Sequence, residues 1–237
     1  MRECVNPGSA RARSAARRLA LLTALSWLAF GGLFAAAMQV YPGGNWHDRA
    51  APGHRFFANY FCDLTQPVSL SGVNNSVGSG LAQLAMLFFA AALAGFFWLI
   101  PRFFEPGARV AGWVRGFGEC AVLGCVAVPF TPSERFGELH GLIALFAGAL
   151  GIAAAVIAVW ALLRSQRAAR ALGVVGLLVL VAGVVHAALF VGVQYLHAGE
   201  PISLIVPGVQ KLSALLLSVW MLGASWLTLS RPREIDP

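Results

Sequence analysis

Six long apolar runs alternate along the chain with shorter polar segments. They are Leu19 to Tyr41, Leu81 to Ile100, Ala111 to Phe130, Leu139 to Leu163, Ala171 to Tyr195 and Ser213 to Leu229. The helix carrying the last run is expected to begin earlier, near Ile205. A helix needs about 20 mostly apolar residues to cross ~30 Å of hydrocarbon. Barrel strands, in contrast, are ~10 residues of alternating pattern. These runs are longer and apolar on every face. The pattern therefore predicts an all-α integral membrane bundle of six transmembrane helices, over 19–41, 81–100, 111–130, 139–163, 171–195 and 205–229. It leaves a basic tail at 1–18, a long connection at 42–80 and a second tail at 230–237.

Composition supports the same solvent. Hydrophobic residues make up 58% of the chain and charged residues 11%, against about 25% charged in a soluble domain. So few charges would not cover a water-facing globule of this size. Within the runs, Gly112 and Gly116, and Ala147 and Gly151, form small-xxx-small pairs that let helix backbones approach closely in lipid.

The formal net charge of +7 does not point to nucleic acid, because the cations sit in short clusters between uncharged runs. Arg2, Arg11, Arg13, Arg17 and Arg18 lie before the first run; Arg102 and Arg109 follow the second; Arg164, Arg167 and Arg170 follow the fourth; Arg231 and Arg233 follow the sixth. The alternate connections hold only Arg49, Arg55 and Arg135, with Lys211 near the start of the last span. By the positive-inside rule both termini are expected in the cytoplasm, in a cytoplasmic membrane. The basic start, apolar run and Ala35-Ala36-Ala37 also resemble a cleavable signal peptide, although the apolar run continues to Tyr41. On this topology Cys4 is cytoplasmic, Cys62 is in the outer connection, and Cys120 and Cys125 are within the third span. No two share an oxidising side, so no disulfide is expected.

Candidate chemistry gathers on the predicted outer side. The 42–80 connection carries His47, Asp48, His54, Asn59, Asp63, Asn74 and Asn75, and its segment 55–61 is aromatic enough to lie in the interface as a short amphipathic helix. A connection this long is suspected of function, as a lid or plug folded back over the bundle, with a poorly ordered loop as the alternative. His140 opens the fourth span. His186 is ~22 Å along the fifth at 1.5 Å per residue, too deep to reach water without a cavity. Arg115 and Glu119, four apart on the third span, are expected to form an intramembrane ion pair.

The segments Tyr41-Pro42-Gly43-Gly44 and Asn59-Tyr60-Phe61-Cys62-Asp63-Leu64, followed by Asn75, resemble the opening of a bacterial and archaeal membrane family catalogued as domain of unknown function 998. That family has an Asn-x-x-Ser-Asp-Leu segment in this loop, and Cys62 stands here in the serine's place. Pro129 or Pro132 before His140 fits the family's third-to-fourth connection. Gly208-Val209-Gln210-Lys211 is similar to its Gly-x-x-Arg opening of the last span, with lysine for arginine. The resemblance implies a multi-span helical bundle and no established activity.

Three readings of function follow. The leading one is a non-enzymatic protein that binds or moves a lipid or small solute through an outward-facing polar cavity lined by Asp63, His140, His186 and Lys211, with Asp63 as counter-charge to Lys211. Membrane lipids are the expected partners. An alternative is an intramembrane hydrolase with a metal on His140, His186 and Asp63, although no His-x-x-x-His pair lies on one span. A third is a structural subunit of a membrane complex. No Ser-His-Asp spacing, phosphate-cradling glycine loop or haem-ligand pattern appears, so no cofactor is expected. The topology has a direct test: alkaline phosphatase fused after Pro237 should be inactive and fused near Asn74 active, and the reverse pattern would overturn the orientation.

Overall fold

A computed structural model of the chain describes residues 7–105, 107–197 and 199–230. Arg2, Cys4, Arg231 and Arg233 lie outside the described residues. Seven helices follow in order: α1 (Pro7–Val40), α2 (Ser76–Leu99), α3 (Val110–Ala127), the single turn α4 (Ser133–Phe136), α5 (Glu138–Leu163), α6 (Arg167–Tyr195) and α7 (Glu200–Ser230). Six of them, all but α4, are long and apolar enough to cross a membrane. The all-α six-helix bundle read from the apolar runs is the observed architecture.

The helices outrun the apolar runs at their starts. The α1 helix begins at Pro7, since its Ala- and Arg-rich opening favours helix and proline suits the first helical position. At 34 residues it is about 51 Å long at 1.5 Å per residue. The α2 helix begins at Ser76 rather than Leu81, where Asn74 Oδ1 accepts the Ser76 N–H at 2.8 Å. Its first turn is polar and small, so hydropathy alone misses it. The α7 helix begins at Glu200 and continues through Pro207, which cannot donate to the Ser203 carbonyl.

The six long helices close into a ring in the order α1, α2, α3, α5, α6, α7 and back to α1. The α2 helix also reaches α7 across the ring, where Phe96 meets the Trp220 ring at 4.8 Å. This pinch divides the bundle. On one side α1 packs into the α2–α7 groove with a buried stripe at Ala16, Ala20, Thr23, Trp27, Phe30 and Phe34, continued by Ala37 and Tyr41. The alternating three- and four-residue steps are those of a coiled-coil seam. Its other face, with Leu21, Leu22, Leu25 and Leu28, is exposed. On the other side α2, α3, α5, α6 and α7 surround a cavity.

Small residues set the crossings, but not all those expected. A side chain at Gly124 would put its Cβ 2.6 Å from that of Ala147, and one at Gly151 would lie 3.8 Å from Ala121, so the α5 pair does pack against α3. Gly112 and Gly116 face open space. Their spacing matches a close-packing motif, yet α3 meets α5 through Ala121 and Gly124, on another face. The same substitution should therefore act in opposite directions at two positions of one helix. Gly124→Ala should destabilise by about 1–3 kcal/mol, as overpacking does. Gly116→Ala should be neutral or stabilise by up to about 1 kcal/mol through helix propensity. Thermal melts of the two variants in one detergent decide it, and a loss at Gly116 as large as at Gly124 would count against this packing.

Candidate functional site

The 41–75 connection folds over one end of the ring, and buried polar side chains give it its shape. Asn59 and Asp63 are both fully buried. Asp63 Oδ2 accepts from the Tyr60 N–H at 2.8 Å and from Asn59 Nδ2 at 3.1 Å, while Oδ1 accepts from Trp46 Nε1 at 3.1 Å. Asn59 Nδ2 also donates to the Gly44 carbonyl at 2.8 Å, and its Oδ1 accepts the Arg55 N–H at 3.0 Å. Gly44 stands at φ +84°, and any side chain there would collide with the Leu70–Ser71 backbone. Asn75 Nδ2 donates to the carbonyls of Leu64 and Gln66, and Ser79 Oγ to that of Thr65 at 2.7 Å. The expected amphipathic helix at 55–61 does not form. Phe56 and Phe57 sit in an exposed turn and a 3-10 helix runs over Phe61–Thr65, because Asp63 bonds back to the Tyr60 N–H and tightens the chain.

The α7 helix anchors this loop about three turns from its start. Gln210 Oε1 accepts the Phe61 N–H at 2.9 Å, and Lys211 Nζ donates to the Asn59 carbonyl. The Lys211 ammonium stands 4.8 Å from the centre of the Phe61 ring and 5.7 Å from that of Phe56, a cation–π arrangement. Phe61 in turn packs on Phe34 of α1 at 5.0 Å. Lys211 and Asp63 are both buried, but they are joined through Asn59 rather than by direct contact, so the expected counter-charge acts at one residue's remove. Burial pushes the Asp63 carboxyl above the usual carboxylate range, against the downward pull of its three donors and of Lys211. Burial likewise pushes the Cys62 thiol up.

Beneath the loop lies the cavity, about 1030 Å³, at the upper end of the ~300–1,000 Å³ usual for small-molecule sites. Its depth is apolar, formed by residues such as Leu93, Phe97, Ile152, Val179 and Trp220. Many of its polar groups gather towards the loop end, among them His140, His186, Gln194, Gln210 and Glu138, with Trp46, His47 and Tyr60 from the loop. His140 Nδ1 lies 2.7 Å from the Thr131 carbonyl. A carbonyl only accepts, so Nδ1 carries the hydrogen and Nε2 keeps a lone pair in the neutral ring. His186 is half-buried, with Nδ1 lacking a partner in the protein. Two of the four expected wall residues, His140 and His186, thus line one cavity. Asp63 and Lys211 do not; they sit behind the wall and hold the loop.

The Arg115–Glu119 pair is not direct. Both occupy one face of α3 as their spacing requires, but the Trp98 indole stands between them. Its Nε1 donates to Glu119 Oε1 at 2.8 Å, and the Arg115 guanidinium lies 4.9 Å over its ring. Among the described residues no three His, Cys, Asp or Glu side chains gather as metal ligands. Sequence reasoning named Gln210 only as part of the Gly208–Lys211 segment, without a role, and passed over Trp46; the roles of both depend on tertiary pairings.

The fold and site define a six-helix bundle with a large, part-open cavity beneath the 41–75 loop. No protein-family model, no curated protein and no solved structure matches the chain.

The loop carries its own pH response. His54 packs edge-on to Tyr41 at 6.0 Å, and its Nε2 is buried without a partner. Burial, and then the charge of Lys211, hold its pKa down at about 4, against about 6.5 in an unfolded chain. Between these values the unfolded state binds a proton that the folded loop refuses, so stability is lost as pH falls from about 6.5 to about 4. Asp63, shifted upward, runs the other way, so the comparison is with His54→Leu. Wild type should lose more melting temperature than the variant across that interval; parallel curves would refute the assignment.

Proposed function

We propose that the protein is a multi-pass protein of the cytoplasmic membrane, both termini cytoplasmic, that binds or moves a lipid or a lipid-like solute through its internal cavity. The observation that carries this reading is the cavity itself: an apolar depth among five helices, a polar belt at one end, and an ordered loop above. An amphiphile satisfies both parts, and a wholly polar solute would leave the apolar walls without partners. A lidded pocket with few convergent polar groups is the usual form of a ligand site. A metal-dependent hydrolase draws no such support, because both Asp63 oxygens are occupied by N–H donors.

Membership of the family of domain of unknown function 998 is part of the proposal. Five of the residues that carry the resemblance, Asn59, Asp63, Asn75, Gly208 and Lys211, cluster in or against one lid: Gly208 faces Phe57, and the others hydrogen-bond within it. A shared structural motif would do the same.

Gly148 of α5 and Gly183 of α6 line the cavity, and a Cβ at either would meet nothing within 4 Å. The double variant Gly148→Phe, Gly183→Phe should keep its melting temperature while filling the space. Purification with native lipids followed by mass spectrometry should then show several-fold less co-purifying lipid than in wild type. Equal occupancy in a folded variant would exclude the cavity as the binding site.

A further inference from the structure

The polar belt specifies more than an amphiphile, because two of its members, His140 and Gln210, have their hydrogen-bonding roles fixed by the surrounding protein. His140 spends Nδ1–H on the Thr131 carbonyl, which leaves Nε2 as an acceptor on the wall. Glu138, exposed in the first turn of α5, adds a carboxylate at the same level. Gln210 spends its Oε1 on the Phe61 N–H, which leaves its amide –NH₂ as a donor. The belt therefore presents acceptors and a donor together.

Charge narrows the choice further. Among the described residues no lysine or arginine side chain lines the cavity, and Glu138 is the charged group on its wall. An anionic head would face that carboxylate and has no hydrogen to give His140 Nε2. The nearest buried cation, Lys211, lies beyond the Phe61 ring and is held on the Asn59 carbonyl. From there its field disfavours an ammonium head, which in any case cannot accept from Gln210. A hydroxyl both donates and accepts and carries no charge.

We infer that the cavity takes a long-chain amphiphile with an uncharged hydroxyl head, held between His140 Nε2 as acceptor and the Gln210 amide as donor. The inference rests on the reading of this cavity as an amphiphile site and names the class of its ligand. Specificity of this kind comes from what the wall leaves unpaired with the wrong head as much as from what it pairs with the right one.

Three probes share one chain and differ in the head: oleyl alcohol, oleate and oleylamine. The full-length protein in one detergent, incubated with an equimolar mixture, is read by native mass spectrometry. The alcohol should be retained about tenfold or more over either competitor, a discrimination of about 1.4 kcal/mol. Glu138→Lys, a change at an exposed helix start that the fold should tolerate, should raise oleate to at least parity with the alcohol. Oleate or oleylamine matching the alcohol on wild type, or an unchanged ranking in Glu138→Lys, would overturn the head-group assignment and leave the cavity reading standing. Retention of none of the three would overturn the cavity reading itself.

Discussion

Asn59 and Asp63 lie fully buried at one end of the bundle, where Asn45, Asn75, His140 and Lys211 are buried too, and much of that end is organised to supply what they require. A buried carboxylate or amide without partners costs far more than its net hydrogen bond returns. The chain meets that demand with its own backbone. Tyr60 N–H, Gly44 carbonyl and Arg55 N–H surround the pair, and the Trp46 indole closes the last side. Irregular backbone at such a place is tolerated only where its polar groups are satisfied by protein. The Gly43-Gly44 turn, the 3-10 helix at Phe61–Thr65 and the close approach to Leu70–Ser71 all serve this one requirement.

The same knot explains how the cavity keeps its shape. Phe61 is gripped from three directions: by Gln210 at its backbone, by Phe34 on its ring, and by Lys211 near its ring. Phe61 is also a wall residue. The rigidity of the lid is passed through that side chain to the ligand space, and the His140 ring is held just as firmly by the Thr131 carbonyl. Preorganised walls of this sort save the ordering cost that a flexible site meets on binding.

The fold was legible in the sequence because lipid imposes a length and a polarity that no other solvent does. Helix starts were less legible. Ser76 and Glu200 begin helices whose first turns, Ser-Val-Gly-Ser and Glu-Pro-Ile-Ser, break the apolar run with polar residues, glycine or proline, and hydropathy does not mark them. The site was half legible. His186 and His140 stood out as polar residues on apolar spans, and both line the cavity. Asp63 stood out as an acid of the long connection and Lys211 as a lone cation near the last span, and both hold the lid, since ionisability marks a residue as constrained without saying what constrains it. The small-residue pairs show a similar limit: Ala147 and Gly151 pack against α3, while Gly112 and Gly116 do not, and spacing alone cannot tell which face of a uniformly apolar helix turns inward. Trp98 between Arg115 and Glu119 came from another helix, beyond the reach of any local pattern.

The anchoring of the lid by the last helix sets an order of assembly. Phe61 and Gln210 are 149 residues apart in sequence, and Asn59 and Lys211 are 152 apart. Chains are synthesised at about 5–20 residues per second, so the finished loop waits on the order of ten to thirty seconds for its partners to emerge. Through that interval the Phe61 N–H and the Asn59 carbonyl must be met by water. The lid is therefore a late event in the life of the chain, and a truncation before Gln210 removes its lock together with the rest of α7, Trp220 included.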